Sequence, residues 1–202
     1  MLLDAEESQL VLVDYQQRLM PSIHEGDRVV ENAVRLARIA QLLQVPVWAT
    51  EENPDGLGGT VEVLQPLVAG RVLSKMEFDA TSVLLPRLKP APRQQGGGNA
   101  RSLPKHLQKA APPPDAGRES IVLAGCEAHV CLMQTALGLL EEEVEVWVVT
   151  DACSSRSERN RDAAFDRLAG AGAELVTTEM VAFEWLRDAG HPRFKEVLGI
   201  VK

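Results

Sequence analysis

Several marks of common protein classes are scarce or absent in this chain. It carries three cysteines, Cys126, Cys131 and Cys153. An odd number without paired CxxC spacing excludes a disulfide framework and a cysteine-pair zinc site, and fits a reducing, cytoplasmic setting. The four histidines, His24, His106, His129 and His191, make neither HxH nor HExxH, so the sequence predicts no metal, and no other cofactor is implied. No apolar run approaches the roughly 20 residues that a membrane span needs. The first residues, with Asp4, Glu6 and Glu7, lack the basic and then apolar order of an export signal. Basic charge is in deficit too, with 21 Lys and Arg against 29 Asp and Glu and a net charge of −8. Such a chain offers no general field for phosphates, so a nucleic-acid partner is not expected and a small-molecule ligand is.

What is present is apolar content, 45% of 202 residues, enough for one domain over 1–202. Continuous apolar runs alternate with amphipathic stretches, the pattern of a parallel sheet covered on both faces. Strands are expected at Gln9 to Val13, Pro46 to Thr50, Arg71 to Ser74, Ser120 to Ala124, Glu145 to Thr150 and Glu174 to Thr177. Helices are expected at Asp27 to Leu43, with Val30, Val34, Ala37 and Leu42 on the buried face, after the fourth strand through Leu140, at Glu158 to Ala169, and near Met180 to Arg187 and Arg193 to Leu198. With right-handed crossovers this is an α/β fold, a three-layer α/β/α sandwich around a mainly parallel, six-stranded, Rossmann-like sheet.

One stretch breaks the rhythm. Residues 86–117 contain Gly96-Gly97-Gly98 and Pro112-Pro113-Pro114 and read as a flexible insertion, with a short helix from Pro104 to Ala110. Gly56-Leu57-Gly58-Gly59 follows the second strand but matches neither GxGxxG nor a phosphate loop with its lysine.

Three expected strands end close to a reactive side chain: Asp14 after the first, Lys75 after the third, and Cys131 six residues beyond Gly125, which follows the fourth. Open parallel sheets bind ligands outside the carboxyl ends of their strands, so the three can meet in one pocket. Cys131 would lie in the first turn of a helix, where the partial positive charge, together with a nearby Lys75, favours thiolate. Asp14 can then receive the thiol proton and return it to a leaving group. Singly, each residue has a plainer role, Asp14 as a cap, Lys75 as a solvated charge and Cys131 as core. Their joint occurrence at three strand ends favours the chemistry. His129 is two residues from Cys131, and such a pair faces different ways on a helix, which argues against a Cys-His dyad.

These segments resemble a known family. Val11-Leu12-Val13-Asp14-Tyr15-Gln16, Ser74-Lys75-Met76-Glu77-Phe78-Asp79-Ala80 and Leu123-Ala124-Gly125-Cys126-Glu127-Ala128-His129-Val130-Cys131-Leu132 are similar to the signature segments of isochorismatase-like cysteine hydrolases. Thr150-Asp151-Ala152-Cys153-Ser154-Ser155-Arg156 extends the likeness. The resemblance implies an Asp14-Lys75-Cys131 triad in which Cys131 attacks a carbonyl-type carbon, a cis bond between Cys126 and Glu127, and an oxyanion site formed by the Glu127 and Cys131 amides. Gln16 and Phe78 are close enough to the signatures to line the pocket. Ala49-Thr50-Glu51-Glu52-Asn53 lacks the histidine of metal-bearing nicotinamidases, and Cys131 stands where isochorismatases lack a cysteine. The likeness is nearest to metal-free, isochorismatase-domain-containing proteins. It implies hydrolysis of a small amide or related C–N bond by a homo-oligomer, dimer or tetramer; a second reading keeps the fold as a ligand-binding or regulatory protein.

Overall fold

A computed structural model describes residues 2–89 and 118–202. Six strands form one all-parallel sheet: β1 (Ser8–Val13), β2 (Val47–Glu52), β3 (Val72–Lys75), β4 (Ser120–Gly125), β5 (Glu145–Val149) and β6 (Glu174–Val176). Their order is β3-β2-β1-β4-β5-β6, so the chain reverses its direction of travel between β1 and β4. That seam is where α/β sheets open a crevice at their carboxyl ends.

Sequence and burial agree in β1. Leu10, Val11, Leu12 and Val13 are all at most 1% exposed, because helices cover both faces and no position needs to be polar. Each such side chain contributes about 2 kcal/mol of apolar burial. One layer consists of α1 (Gly26–Leu42), α6 (Thr178–Leu186) and α7 (Phe194–Val201), and the other of α3 (Thr81–Leu88), α4 (Met133–Glu141) and α5 (Glu158–Gly170). A single turn, α2 (Pro54–Leu57), follows β2. Two helices start on side-chain caps: the Ser157 hydroxyl accepts the Asn160 N–H, and the Thr177 hydroxyl accepts the Met180 N–H.

Two expectations need correcting. The buried face of α1 is Val29, Ala33, Leu36, Ala37 and Ala40, while Val30, Val34 and Leu42 are only half-buried. The stripe is turned by about one residue because α1 packs against α6 and α7 as well as the sheet, and Val30 and Val34 instead line an outer cleft of about 860 Å³. Second, residues 86–88 belong to a helix and not to an insertion. Pro86 lies inside α3, whose buried Leu84 and Leu88 hold it against the body. The rest of that expectation, including the helix from Pro104 to Ala110, falls outside the described residues. No helix among the described residues is long and apolar enough to cross a membrane.

Candidate active site

Asp14 follows the last residue of β1 and has φ of 55°, the left-handed region that Asp tolerates better than most residues. It is fully buried. Thr50, in β2, donates its hydroxyl to Asp14 Oδ1 at 2.7 Å, and Lys75, the last residue of β3, donates from Nζ to Asp14 Oδ2 at 2.7 Å. The ammonium also donates to the carbonyls of Glu77 at 3.1 Å and Phe78 at 3.2 Å. An ammonium has three hydrogens, so these three acceptors leave Lys75 nothing to offer a substrate. Its role is to hold Asp14.

Cys131 arrives from β4. Gly125 is required there, since a Cβ would lie 2.5 Å from the Val13 carbonyl oxygen and force β1 and β4 apart. The bond between Cys126 and Glu127 is cis. Residues Ala128–Leu132 then form a π-helical turn before α4. In this wide turn the Glu127 carbonyl accepts the N–H groups of Val130 at 3.1 Å and Leu132 at 3.2 Å. The Glu127 N–H has no acceptor among the described residues.

The charge state of the thiol differs from the sequence expectation. Burial, the largest cause, and then the Asp14 charge push the Cys131 thiol well above its ordinary value; Lys75 pulls it down, but a thiol–carboxylate contact with Asp14 and the charge of Glu52 add to the rise. That direction favours the thiol of Cys131 over its thiolate. The turn's dipole and Lys75 lose to desolvation and to the Asp14 charge, which outweighs that of Lys75. Cys126 is pushed up to about 12 and Cys153 well above its usual value, both chiefly by burial. What sets Cys131 apart is Asp14, whose charge acts on it second only to burial.

Other expected residues fall in different places. Gln16 is fully buried, and its side chain is spent on backbone: Nε2 donates to Glu52 O at 2.8 Å and Gly58 O at 2.7 Å, and Oε1 accepts the Glu52 N–H at 2.9 Å. It clamps β1 to β2. The Phe78 carbonyl accepts from Lys75, while the residue is 51% exposed. Cys153 is buried, and its sulfur accepts the Gly125 N–H at 3.3 Å. Glu52 was not singled out from the sequence. Its carboxyl is raised by burial, eased by Lys75 and raised again by Asp14, which puts it within electrostatic reach of the triad. Thr50 was missed as a partner of Asp14; its only signal was a hydroxyl at the end of a strand paired with β1.

No group of three or more His, Cys, Asp or Glu side chains capable of holding a metal occurs among the described residues. His129 does not face Cys131 as a base. Its Nδ1 lies 2.9 Å from the Ser155 hydroxyl and its Nε2 3.3 Å from Asn160 Nδ2.

Comparison with known proteins places this chain in a family. Residues 8–180 match the isochorismatase domain. Mouse isochorismatase domain-containing protein 2A is 36% identical over 197 residues, which are 98% of this chain and 84% of that protein. Among solved structures, the MAR1 ribonuclease of Caenorhabditis elegans is similar with a TM-score of 0.82 and 29% identity, over 100% of this chain and 92% of that one. YcaC from Pseudomonas aeruginosa, solved with hexane-2,5-diol and covalent acrylamide, is similar with a TM-score of 0.78 and 25% identity, over 98% and 91%. By domain match, sequence identity and fold, this chain belongs to the isochorismatase domain family.

Proposed function

We propose that the protein is a cysteine-dependent hydrolase of a small-molecule amide or a related C–N bond, acting through a thioester on Cys131. The observation that carries this reading is the fully buried Asp14 carboxylate, fixed by Lys75 and Thr50 at 2.7 Å each, whose charge acts on the buried Cys131 thiol. As Sγ attacks the carbonyl carbon, its proton passes to Asp14 and the S–C bond forms. Negative charge collects on the carbonyl oxygen, where the Glu127 and Cys131 amides receive it. The C–N bond then breaks, Asp14 returns the proton to the leaving nitrogen, and a thioester remains. Water, deprotonated by the same carboxylate, cleaves the thioester to release the acid and the thiol. A raised thiol pKa suits this sequence, because the proton leaves only as the nucleophile attacks.

The name of the worm relative brings forward a second reading, cleavage of RNA. In this chain the net charge of −8 and the lack of a candidate metal cluster among the described residues favour the amide reading. The test is turnover of a panel of small amides and of a short RNA by wild type, Cys131→Ala and Asp14→Asn. The proposal expects amide hydrolysis that falls roughly a thousandfold or more in Cys131→Ala. Amide or RNA turnover unchanged in Cys131→Ala contradicts it, and ligand binding without turnover favours a regulatory protein. Self-association is part of the proposal, supported by the exposed Leu2, Met180 and Phe183, which line one apolar cleft. Light scattering that gives a strict monomer contradicts that part.

A further inference from the structure

The segment Thr150 to Arg156 takes no part in the reaction above, yet it is packed onto the loop that carries the nucleophile. The Ser154 carbonyl accepts the Ala128 N–H at 2.8 Å, and the Ser155 hydroxyl accepts the His129 N–H at 3.3 Å. Arg156 Nε forms an ion pair with Glu127 Oε1 at 2.5 Å. The two partners differ in setting, since the Glu127 side chain is 7% exposed and that of Arg156 64%. Oε2 of Glu127 is buried without a hydrogen-bond partner among the described residues, and His129 Nδ1 lies 3.6 Å from it.

A half-satisfied carboxylate under a loop is costly, and an apolar side chain would fill the space without that cost. The backbone N–H of the same residue is the donor assigned above to the oxyanion. A guanidinium that grips the carboxylate restrains the Glu127 Cα, and with it the direction of that N–H. We infer that Arg156 is a positioning residue for the oxyanion site, acting through the Glu127 carboxylate with His129 on its other side. This rests on the reading of Cys131 as nucleophile. Preorganised donors of this kind tolerate errors of about 0.5 Å, so a loosened brace is felt in rate while the fold survives.

The test uses two small neutral electrophiles and needs no natural substrate. Acrylamide adds to the thiol at its β-carbon: the S–C bond forms, charge passes to the carbonyl oxygen, and the thiol proton, held by Asp14, goes to the α-carbon. Methyl methanethiosulfonate is attacked at sulfur; a disulfide forms, methanesulfinate leaves, and no carbonyl oxyanion develops. The second-order rates of both at Cys131, read by peptide mass mapping, are compared in wild type, Arg156→Gln, Arg156→Lys, Glu127→Gln and the double variant Arg156→Gln/Glu127→Gln.

The expected result is a fall of about tenfold in the acrylamide rate relative to the thiosulfonate rate in Arg156→Gln, smaller than the roughly hundredfold cost of losing an oxyanion donor outright. Glu127→Gln should match it, Arg156→Lys should recover part of the loss, and the double variant should be no slower than either single one. A wild-type rate ratio in both single variants, or additive losses in the double variant, overturns the inference and leaves the nucleophile reading intact. A wild-type Cys131 inert to both reagents overturns the two together. Labelling of the buried Cys126 and Cys153 reports any unfolding, and in that event Arg156→Lys carries the comparison.

Discussion

The site joins two carboxylate–cation pairs set in opposite surroundings. On the β1–β3 side, Asp14 and Lys75 are both fully buried. On the β4–β5 side, a buried Glu127 meets an Arg156 that is mostly in water. The first pair is closed: Oδ1 and Oδ2 each have a partner, and the ammonium has three acceptors. The second is open, with one carboxylate oxygen unbonded. A closed dry pair can hold a base beside a thiol without drifting, but breaking it strands a charge. An open pair is cheap to break and adjusts position more than stability.

The most severe way to break this comparison is Lys75→Met, which leaves the Asp14 carboxylate buried and unpaired. We expect a loss of about 3 to 5 kcal/mol in urea unfolding, largely recovered in Asp14→Asn/Lys75→Met because the stranded charge is removed. A loss below about 1 kcal/mol would mean that water reaches the pair. Thr50→Val removes one hydrogen bond from the carboxylate and should cost about 1.5 to 3 kcal/mol by the same measurement. Arg156→Gln, on the open side, should cost no more than about 1 kcal/mol.

The pH dependence sharpens the contrast. With a raised thiol and Asp14 as its base, the acrylamide rate at Cys131 should be flat between about pH 6 and about pH 8. In Asp14→Asn only the scarce thiolate reacts, so the rate should start far lower and climb about tenfold per pH unit. A wild-type rate that climbs as steeply would remove Asp14 from the role of base. The smallest effect is expected in Glu52→Gln. Glu52 is the weakest of the causes that raise the thiol, so its loss should lower the Cys131 pKa and speed thiosulfonate labelling only about two- to threefold.

The sheet was legible because both its faces are covered. Runs such as Leu10 to Val13 and Ile121 to Ala124 admit little besides a buried strand, and reactive residues just beyond such runs gather at one edge. The burial of α1 was read less well, because periodicity finds a stripe without saying what it packs on, and α6 and α7 turned it away from Val30 and Val34. A proline such as Pro86 reads as a boundary in sequence, but packing of Leu84 and Leu88 carries α3 past it. Within the site, Asp14, Lys75 and Cys131 could be named from chain position, but their protonation could not. The thiol's state depends on which of several neighbours is nearest and how dry the place is, and the sequence orders neither. Gln16 was visible as a residue near the signature; only the geometry assigns its amide to the backbone of Glu52 and Gly58.

The measurement that bears most directly on the central claim is intact-mass analysis of wild type and Cys131→Ala after incubation with a panel of small amides and with acrylamide, followed by peptide mapping. The account predicts a single covalent adduct on Cys131, its mass that of the acyl or propanamide group, and none on the Cys131→Ala protein. Adducts at Cys126 or Cys153 in equal measure, or an adduct that survives Cys131→Ala, would contradict the assignment of Cys131 as the nucleophile.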